Sequence, residues 1–197
     1  MNTIQAIHQR YSCRAFTDKM PSDEDLQSVT KAAVAAPSAM NMQSWQVIVV
    51  KNKQLLNELE AEAFSNLDVA ARERVMSRGG KVYYNTPCQI IIPIADSKSN
   101  KWSNIDCGII TQNIVLAAES LGINSLICGM IQFAFMGDKG EYFKKQLGFP
   151  EGYDLGLSVL LGYADESGVK PPHELDMSKI SWVGVINEHT NQTNTTR

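Results

Sequence analysis

A junction between a helix and a strand constrains this chain more than any other stretch. Small apolar residues precede Pro37. Because proline lacks a backbone N–H and disfavours a helical conformation in the residue before it, a helix is expected to end there. The run Val47–Val50 then contains no polar residue, which predicts a buried strand that begins near Trp45. The chain is therefore expected to combine helices with a sheet.

The loop inside this junction carries polar side chains. Ser38, Asn41 and Gln43 offer one hydroxyl and two amide groups, which both donate and accept hydrogen bonds. Groups of this kind suit a ligand that presents alternating donors and acceptors. They are equally typical of an ordinary polar connection between a helix and a strand, and the loop alone does not choose between the two.

A second polar motif lies near the N-terminus, where Arg10, Ser12 and Arg14 alternate with other residues. The planar guanidinium group has several donors and suits phosphate or carbonyl oxygens. A run of this kind on its own is more often a solvated surface. Cys13, inside the run, is interpreted as a small buried residue, because no neighbouring motif supports a nucleophile.

Composition excludes several classes of function. The chain has 197 residues and a formal net charge of −3, so nothing draws it as a whole toward nucleic acid or an anionic membrane, and a phosphate site must be a local basic cluster. The cysteines are scattered and the histidines dispersed, which predicts free thiols and no metal site. No signal-peptide pattern, bilayer-spanning apolar run or glycine-rich nucleotide fingerprint occurs, and a cytoplasmic protein is expected.

The spacing of apolar residues and the positions of glycine and proline predict one α+β domain over residues 1–197 with a mixed sheet. Ser22 and Asn52 are expected to cap helices, and Pro93 is expected to mark a sheet edge or a strand terminus. The helix from residue 104 to 121 carries small or apolar residues on nearly every side, so it is expected to lie at the centre of the fold. The predicted helices cover residues 3–9, 22–36, 69–77, 104–121 and 137–147, with a further helix that begins at Asn52 and contains Leu55, Leu56 and Leu59. The predicted strands cover residues 45–50, 88–94, 123–127 and 155–162.

Taken in order, the motifs resemble the FMN-dependent nitroreductase family. These are Arg-x-Ser-x-Arg from Arg10, Ala-Pro-Ser-x-x-Asn-x-Gln-x-Trp from Ala36, and a glycine-rich C-terminal half, and the likeness covers about residues 4–170. The resemblance implies a mixed central β-sheet flanked by helices and an intertwined homodimer. The small and apolar residues of the helix at 104–121 favour a place for it in the core of that dimer. The resemblance also implies that residues 165–190 wrap the partner subunit, with 182–186 as an added strand, before a polar tail at 188–197.

The resemblance implies an FMN-dependent NAD(P)H oxidoreductase that passes a hydride through FMN N5 by a ping-pong mechanism. The acceptors implied are nitroaromatic, quinone or related small molecules, selected by excursions such as residues 132–140. Neither nucleic acid nor a membrane is implied as a partner. Two alternatives stay open: a non-catalytic FMN-binding storage or sensor protein, and a specialised flavin-dependent dehydrogenase or dehalogenase of the same fold.

The resemblance also assigns site residues. It places Arg10, Ser12 and Arg14 on the phosphate, the ribityl chain and the pyrimidine edge of FMN, with Arg14 as the catalytic group. The remaining predicted FMN-binding residues are Ser38, Asn41, Gln43, Cys128, Gly129 and Lys170. Two departures occur: serine stands at Ser44 where the family usually has proline, and His173 stands near Lys170 where a second basic residue is common.

Overall fold

A four-stranded sheet in the order β1-β2-β4-β3 lies at the centre of the computed structural model, which describes residues 1–96 and 100–184. In this order β2 and β4 are the inner strands. All three pairings are antiparallel. The apolar, β-branched residues of the inner strands suit strands covered on both faces. The strands are β1 (Ile48–Val50), β2 (Cys88–Ala95), β3 (Asn124–Ile127) and β4 (Tyr153–Gly162).

Helices cover both faces of this sheet. Ser22 and Asn52 cap their helices as predicted, because each side chain accepts a hydrogen bond from the backbone N–H three residues later. The described ranges contain no helix long and apolar enough to cross a membrane. The helices are α1 (Thr3–Gln9), α2 (Asp23–Val34), α3 (Lys53–Ser65), α4 (Val69–Met76), α5 (Ser103–Ser120), α6 (Gln132–Met136) and α7 (Gly140–Leu147).

The alternation of side chains along the inner strands divides the core in two. Ile90 and Ile92 of β2 pack with α2 and α5, while Ile91 packs with α3, α6 and α7. Each of these three isoleucines is fully buried. The predicted α+β class is confirmed. Loops lie at the ends of the strands, which the helices do not cover.

The first strand differs from its prediction. It comprises Ile48–Val50 alone and is only partly buried, and Trp45 forms a single isolated bridge with Ile94. The reason is position, because β1 is an outer strand and no strand of the described residues pairs with its other edge. The expected mixture of parallel and antiparallel pairing is slight: the named strands pair antiparallel, and among the described residues the parallel pairing is one bridge between Ser12 and Ser125.

Pro93 does not mark a sheet edge, because it lies in the inner strand β2. The pairing with β4 shifts register between Ile92 and Pro93, and the pairing with β1 ends at Ile91. The proline therefore lies near the end of β2, at an irregularity where a missing N–H interrupts no regular ladder.

Three helix predictions need correction. The second helix ends at Val34, which is 52% exposed rather than buried. The helix expected from residue 137 begins at Gly140, because Gly137 is extended and separates it from α6. Only one side of α5 is buried in this protomer, and Ile105 on the other side is 56% exposed.

Candidate functional site

An extended segment presents the N-terminal motif. After α1 ends, the backbone runs beside β3 and the end of β4: the Cys13 N–H donates to Ser125 O (3.0 Å) and the Thr17 N–H to Tyr163 O (2.8 Å). Side chains of an extended chain alternate between two sides. Cys13 accordingly turns into the core with no exposed surface, while Arg14 is exposed.

The motif lines a cavity of about 260 Å³ together with the C-terminal segment. Arg10, Ser12 and Arg14 meet Lys170 there, as the resemblance implies, and His173 lies beside them. Tyr11 and Pro171 complete the lining. In a chain of net charge −3, this is a local cluster of basic groups.

Gly168 brings Lys170 to this cavity. The turn before it bonds to the N-terminal segment, since the Asp165 N–H donates to Ala15 O (3.2 Å). A Cβ built on Gly168 would lie 2.3 Å from Ala15 O, so any other residue would push the two segments apart. Sequence reasoning missed this glycine. The feature that could have indicated it is its position two residues before Lys170, a predicted FMN-binding residue.

Sequence reasoning also missed the residues behind the motif. Asn124 Nδ2 donates to the Tyr11 hydroxyl (3.1 Å), and Asn124 Oδ1 accepts from the Ala164 N–H (2.8 Å). Burial raises the pKa of the Glu119 carboxyl, and the positive charge of Arg10 opposes that rise. Arg10 therefore has a carboxylate neighbour that partly offsets its charge.

The second motif forms a tight loop that does not line this cavity. The Ser38 hydroxyl oxygen accepts from the Gln43 N–H (2.9 Å), and Ser38 O accepts from the Asn41 N–H (3.0 Å). Met40, Asn41 and Gln43 have φ values of 52°, 55° and 47°, in the left-handed region that non-glycine residues seldom adopt. The amide side chains of Asn41 and Gln43 are exposed and have no hydrogen-bond partner in the described part of the protein.

Two polar side chains near the start of α5 anchor this loop, and neither was predicted. Asp106 Oδ1 accepts from the Ala39 N–H (3.1 Å), and Asn100 Nδ2 donates to Ser44 Oγ (3.1 Å). The first bond joins residues 67 positions apart. Separation of that size leaves no local sequence signal.

Cys128 proves to be a core residue. Its side chain is buried, its N–H donates to Ser158 O (2.8 Å), and burial raises the pKa of its thiol to about 11. Its N–H and its thiol are therefore engaged within the protein, and its role as an FMN-binding residue stays a prediction. Gly129 next to it is exposed, and a Cβ built there would meet no atom within 4 Å, so a ligand has room to approach this backbone.

The other thiols are buried too, and none forms a disulfide. Burial raises the pKa of Cys13, of Cys107 to about 11 and of Cys88 to about 12. Among the described residues, no three His, Cys, Asp or Glu side chains are grouped so as to hold a metal ion. The chemistry that this site offers comes from guanidinium, ammonium, hydroxyl, amide and backbone groups.

Two solved nitroreductase structures with bound FMN are similar in fold to this chain. The chain is similar to a nitroreductase with bound FMN from Desulfitobacterium hafniense DCB-2, at 50% identity and a TM-score of 0.88, covering 93% of this chain and 99% of that one. It is also similar to a nitroreductase with bound FMN from Bacteroides fragilis NCTC 9343, at 27% identity and a TM-score of 0.84, with the same coverage.

A sequence relative agrees with these structures. The chain is 33% identical over 165 residues to a candidate NADH dehydrogenase/NAD(P)H nitroreductase of Archaeoglobus fulgidus, covering 81% of this chain and 84% of the relative. The family model described as "Nitroreductase family" matches residues 7–163, which include both polar motifs and all four strands of the sheet. The chain belongs to the nitroreductase family.

Proposed function

We propose that this protein is an FMN-dependent NAD(P)H oxidoreductase of the nitroreductase type. The observation that carries the proposal is the cavity where Arg10, Ser12 and Arg14 meet Lys170, within a fold shared with nitroreductases whose structures contain FMN. Guanidinium and ammonium groups fit a phosphate. The unpartnered amides of Asn41 and Gln43 and the open backbone at Gly129 fit a flat heterocycle with polar edges.

Bound FMN supplies a ring that takes up a hydride at N5 and delivers reducing equivalents to a second molecule. In this proposal Arg10 and Lys170 hold the phosphate, and Ser12 bonds to the ribityl chain. Arg14 is placed at the N1–O2 edge of the ring, where negative charge develops on reduction. A fixed cation there stabilises the reduced form more than the oxidised form, and only such a difference accelerates a reaction.

We further propose a homodimer in which the loop from Ser38 to Gln43 reaches FMN from the partner subunit or from the far side of the ring. Two apolar surfaces support an association: the outer side of α5 and the C-terminal segment, where Trp182 is 71% and Val183 95% exposed. The proposed wrapping segment covers residues 165–190. Its described part, up to Gly184, contains no strand, and the rest of it and the polar tail at 188–197 lie outside the described residues.

The proposal is tested by mixing purified protein with NAD(P)H without oxygen. We expect a yellow protein that is bleached by NAD(P)H and recoloured by a nitroaromatic or a quinone. Because one exposed ring face serves donor and acceptor in turn, double-reciprocal plots should be parallel. Intersecting lines would point to a separate nucleotide site. Bound FMN without turnover would favour a storage or sensor protein, and turnover restricted to another substrate class a specialised dehydrogenase or dehalogenase.

Dimer and cofactor are linked if both subunits contact each FMN. A ligand that binds only the folded protein stabilises it by about 2.7 kcal/mol at one hundred times its Kd. We therefore expect FMN to raise the Tm of the apo-protein and light scattering to give twice the chain mass. A stable monomer loaded with FMN would contradict the proposed assembly.

A further inference from the structure

The carboxylate of Asp106 is the most unusual polar group outside the motifs. The residue is 2% exposed and lies in the first turn of α5. One oxygen accepts from the Ala39 N–H, while Oδ2 is buried without a hydrogen-bond partner among the described residues. A buried carboxylate with a single hydrogen bond is costly, but the positive end of a helix dipole lessens that cost.

The loop that Asp106 contacts has few other means of keeping its shape. Its internal bonds satisfy the N–H groups of Asn41, Met42 and Gln43, but they leave the Ala39 N–H to Asp106. Residues in the left-handed region keep that conformation only where their surroundings impose it. Asp106 supplies such a constraint at the start of the loop.

Asn100 supplies the constraint at the other end. It is 5% exposed, its amide nitrogen donates to Ser44 Oγ, and its amide oxygen accepts from the Trp102 N–H (3.0 Å). Ser44 is itself buried, so this hydrogen bond is shielded from water.

We infer that Asp106 is a positioning residue for the loop from Ser38 to Gln43, which we propose contacts the cofactor. By holding Ala39, it fixes the backbone turn that presents the amides of Asn41 and Gln43, and Asn100 holds the far end through Ser44. In this assignment Asp106 acts through the loop and does not touch FMN. The inference rests on the proposed binding of FMN, and it adds to that proposal the part of the protein that orients the ligand's polar edge.

The test measures the Kd of apo-protein for FMN by fluorescence quenching. Asp106→Asn keeps an oxygen acceptor for the Ala39 N–H and should stay within about threefold of the parent protein. Asp106→Ala removes the acceptor and should weaken FMN binding about tenfold, the equivalent of one lost hydrogen bond to a charged group. Asp106→Ser, whose hydroxyl is too short to reach the loop, serves if the alanine variant does not fold.

Ser22→Ala is the matched control. It removes a side-chain bond to a backbone N–H at the opposite end of α2, the helix that leads into the loop. This variant should lower the Tm of the apo-protein without changing the Kd for FMN. Equal losses of FMN affinity in the control and in Asp106→Ala would overturn the inference, because general destabilisation would then explain both.

A double-mutant cycle separates positioning from simple stability. In a protein that already carries Asn41→Ala and Gln43→Ala, the amides that Asp106 positions are gone, so adding Asp106→Ala should weaken FMN binding less than about twofold further. A full additional tenfold loss would refute the positioning role. If the unaltered protein binds no FMN, the proposed function fails; if it binds FMN and Asp106→Ala binds it equally well, only this inference fails.

Discussion

The cavity of the N-terminal motif and the loop from Ser38 to Gln43 are built in opposite ways. Charged side chains in the cavity are exposed or partly exposed, and Arg14 is held within the described part of the protein by no more than a 3.5 Å contact from its Nη1 to Ser12 O. The loop, in contrast, is tied by buried Asp106 and Asn100 and keeps three residues in the left-handed region.

The difference follows from what each region is proposed to recognise. A phosphate is a nearly spherical charge, and long flexible cations can satisfy it from several directions. A heterocycle edge has donors and acceptors at fixed positions, so its partners need a fixed frame. Substitutions in the cavity should therefore change charge-dependent properties, and substitutions around the loop should change stability and geometry.

The largest expected effect is on rate, at Arg14. Arg14→Met keeps part of the side chain's bulk and deletes the charge, which should slow reduction of the protein by NAD(P)H about 10²–10³-fold, or about 3–4 kcal/mol. Stopped-flow absorbance measures this rate, and redox titration should show a lower flavin midpoint potential. An unchanged potential with lost FMN binding would mean that Arg14 only clamps the phosphate.

Arg10 should show the reverse pattern. Arg10→Gln removes a charged partner of the proposed phosphate and should weaken FMN binding about 10–100-fold, in keeping with 1.5–3 kcal/mol for a hydrogen bond to a charged group. The potential of whatever fraction stays loaded should be near normal. Lys31→Gln makes the same change of net charge on the exposed surface of α2 and should leave the Kd unaltered.

Around the loop, Ser44→Ala tests stability directly. The substitution leaves Asn100 Nδ2 without its partner in a buried site, and we expect unfolding in urea to require about 1 kcal/mol less free energy. Ser120→Ala removes an exposed side-chain bond on α5 and should change stability by less than about 0.5 kcal/mol. A stability loss in Arg10→Gln as large as that in Ser44→Ala would remove the contrast between the two regions.

The smallest expected effect concerns Glu119. Its carboxylate lies near Arg10 and offsets part of the cavity's positive charge. Glu119→Gln should therefore tighten FMN binding about twofold, as expected for a partly exposed charge pair. The gain should shrink in high salt, because screening weakens charge interactions at the surface. Weaker binding in this variant would show that Glu119 supports Arg10 instead of competing for it.

Features that depend on neighbouring residues were predicted well. The bounds of α1 and the caps at Ser22 and Asn52 follow from patterns that span three or four positions. The prediction that Val47–Val50 form a buried strand was wrong about burial, because apolar composition does not distinguish an outer strand from an inner one. For Pro93 the sequence left a sheet edge and a strand terminus open, and only the register of its partners shows that it lies in an inner strand, near its end.

The same limit divides the candidate site. Arg10, Ser12 and Arg14 could be proposed because they form one short motif, and Lys170 because its place matched the resemblance; the structure brings all four to one cavity. Asp106, Asn100 and Gly168 were missed, because each acts on a segment far along the chain and has no motif of its own. Their contribution is visible only once the sheet and α5 have brought those segments together.

The four buried cysteines can report local opening of the structure around them. A protonated, enclosed thiol reacts with an alkylating reagent only when the structure around it opens. Cys13 lies between Ser12 and Arg14, and Cys107 directly follows Asp106. Mass spectrometry of timed alkylation would thus read the opening of the cavity segment and of the loop's anchor separately, in one sample and without an added probe.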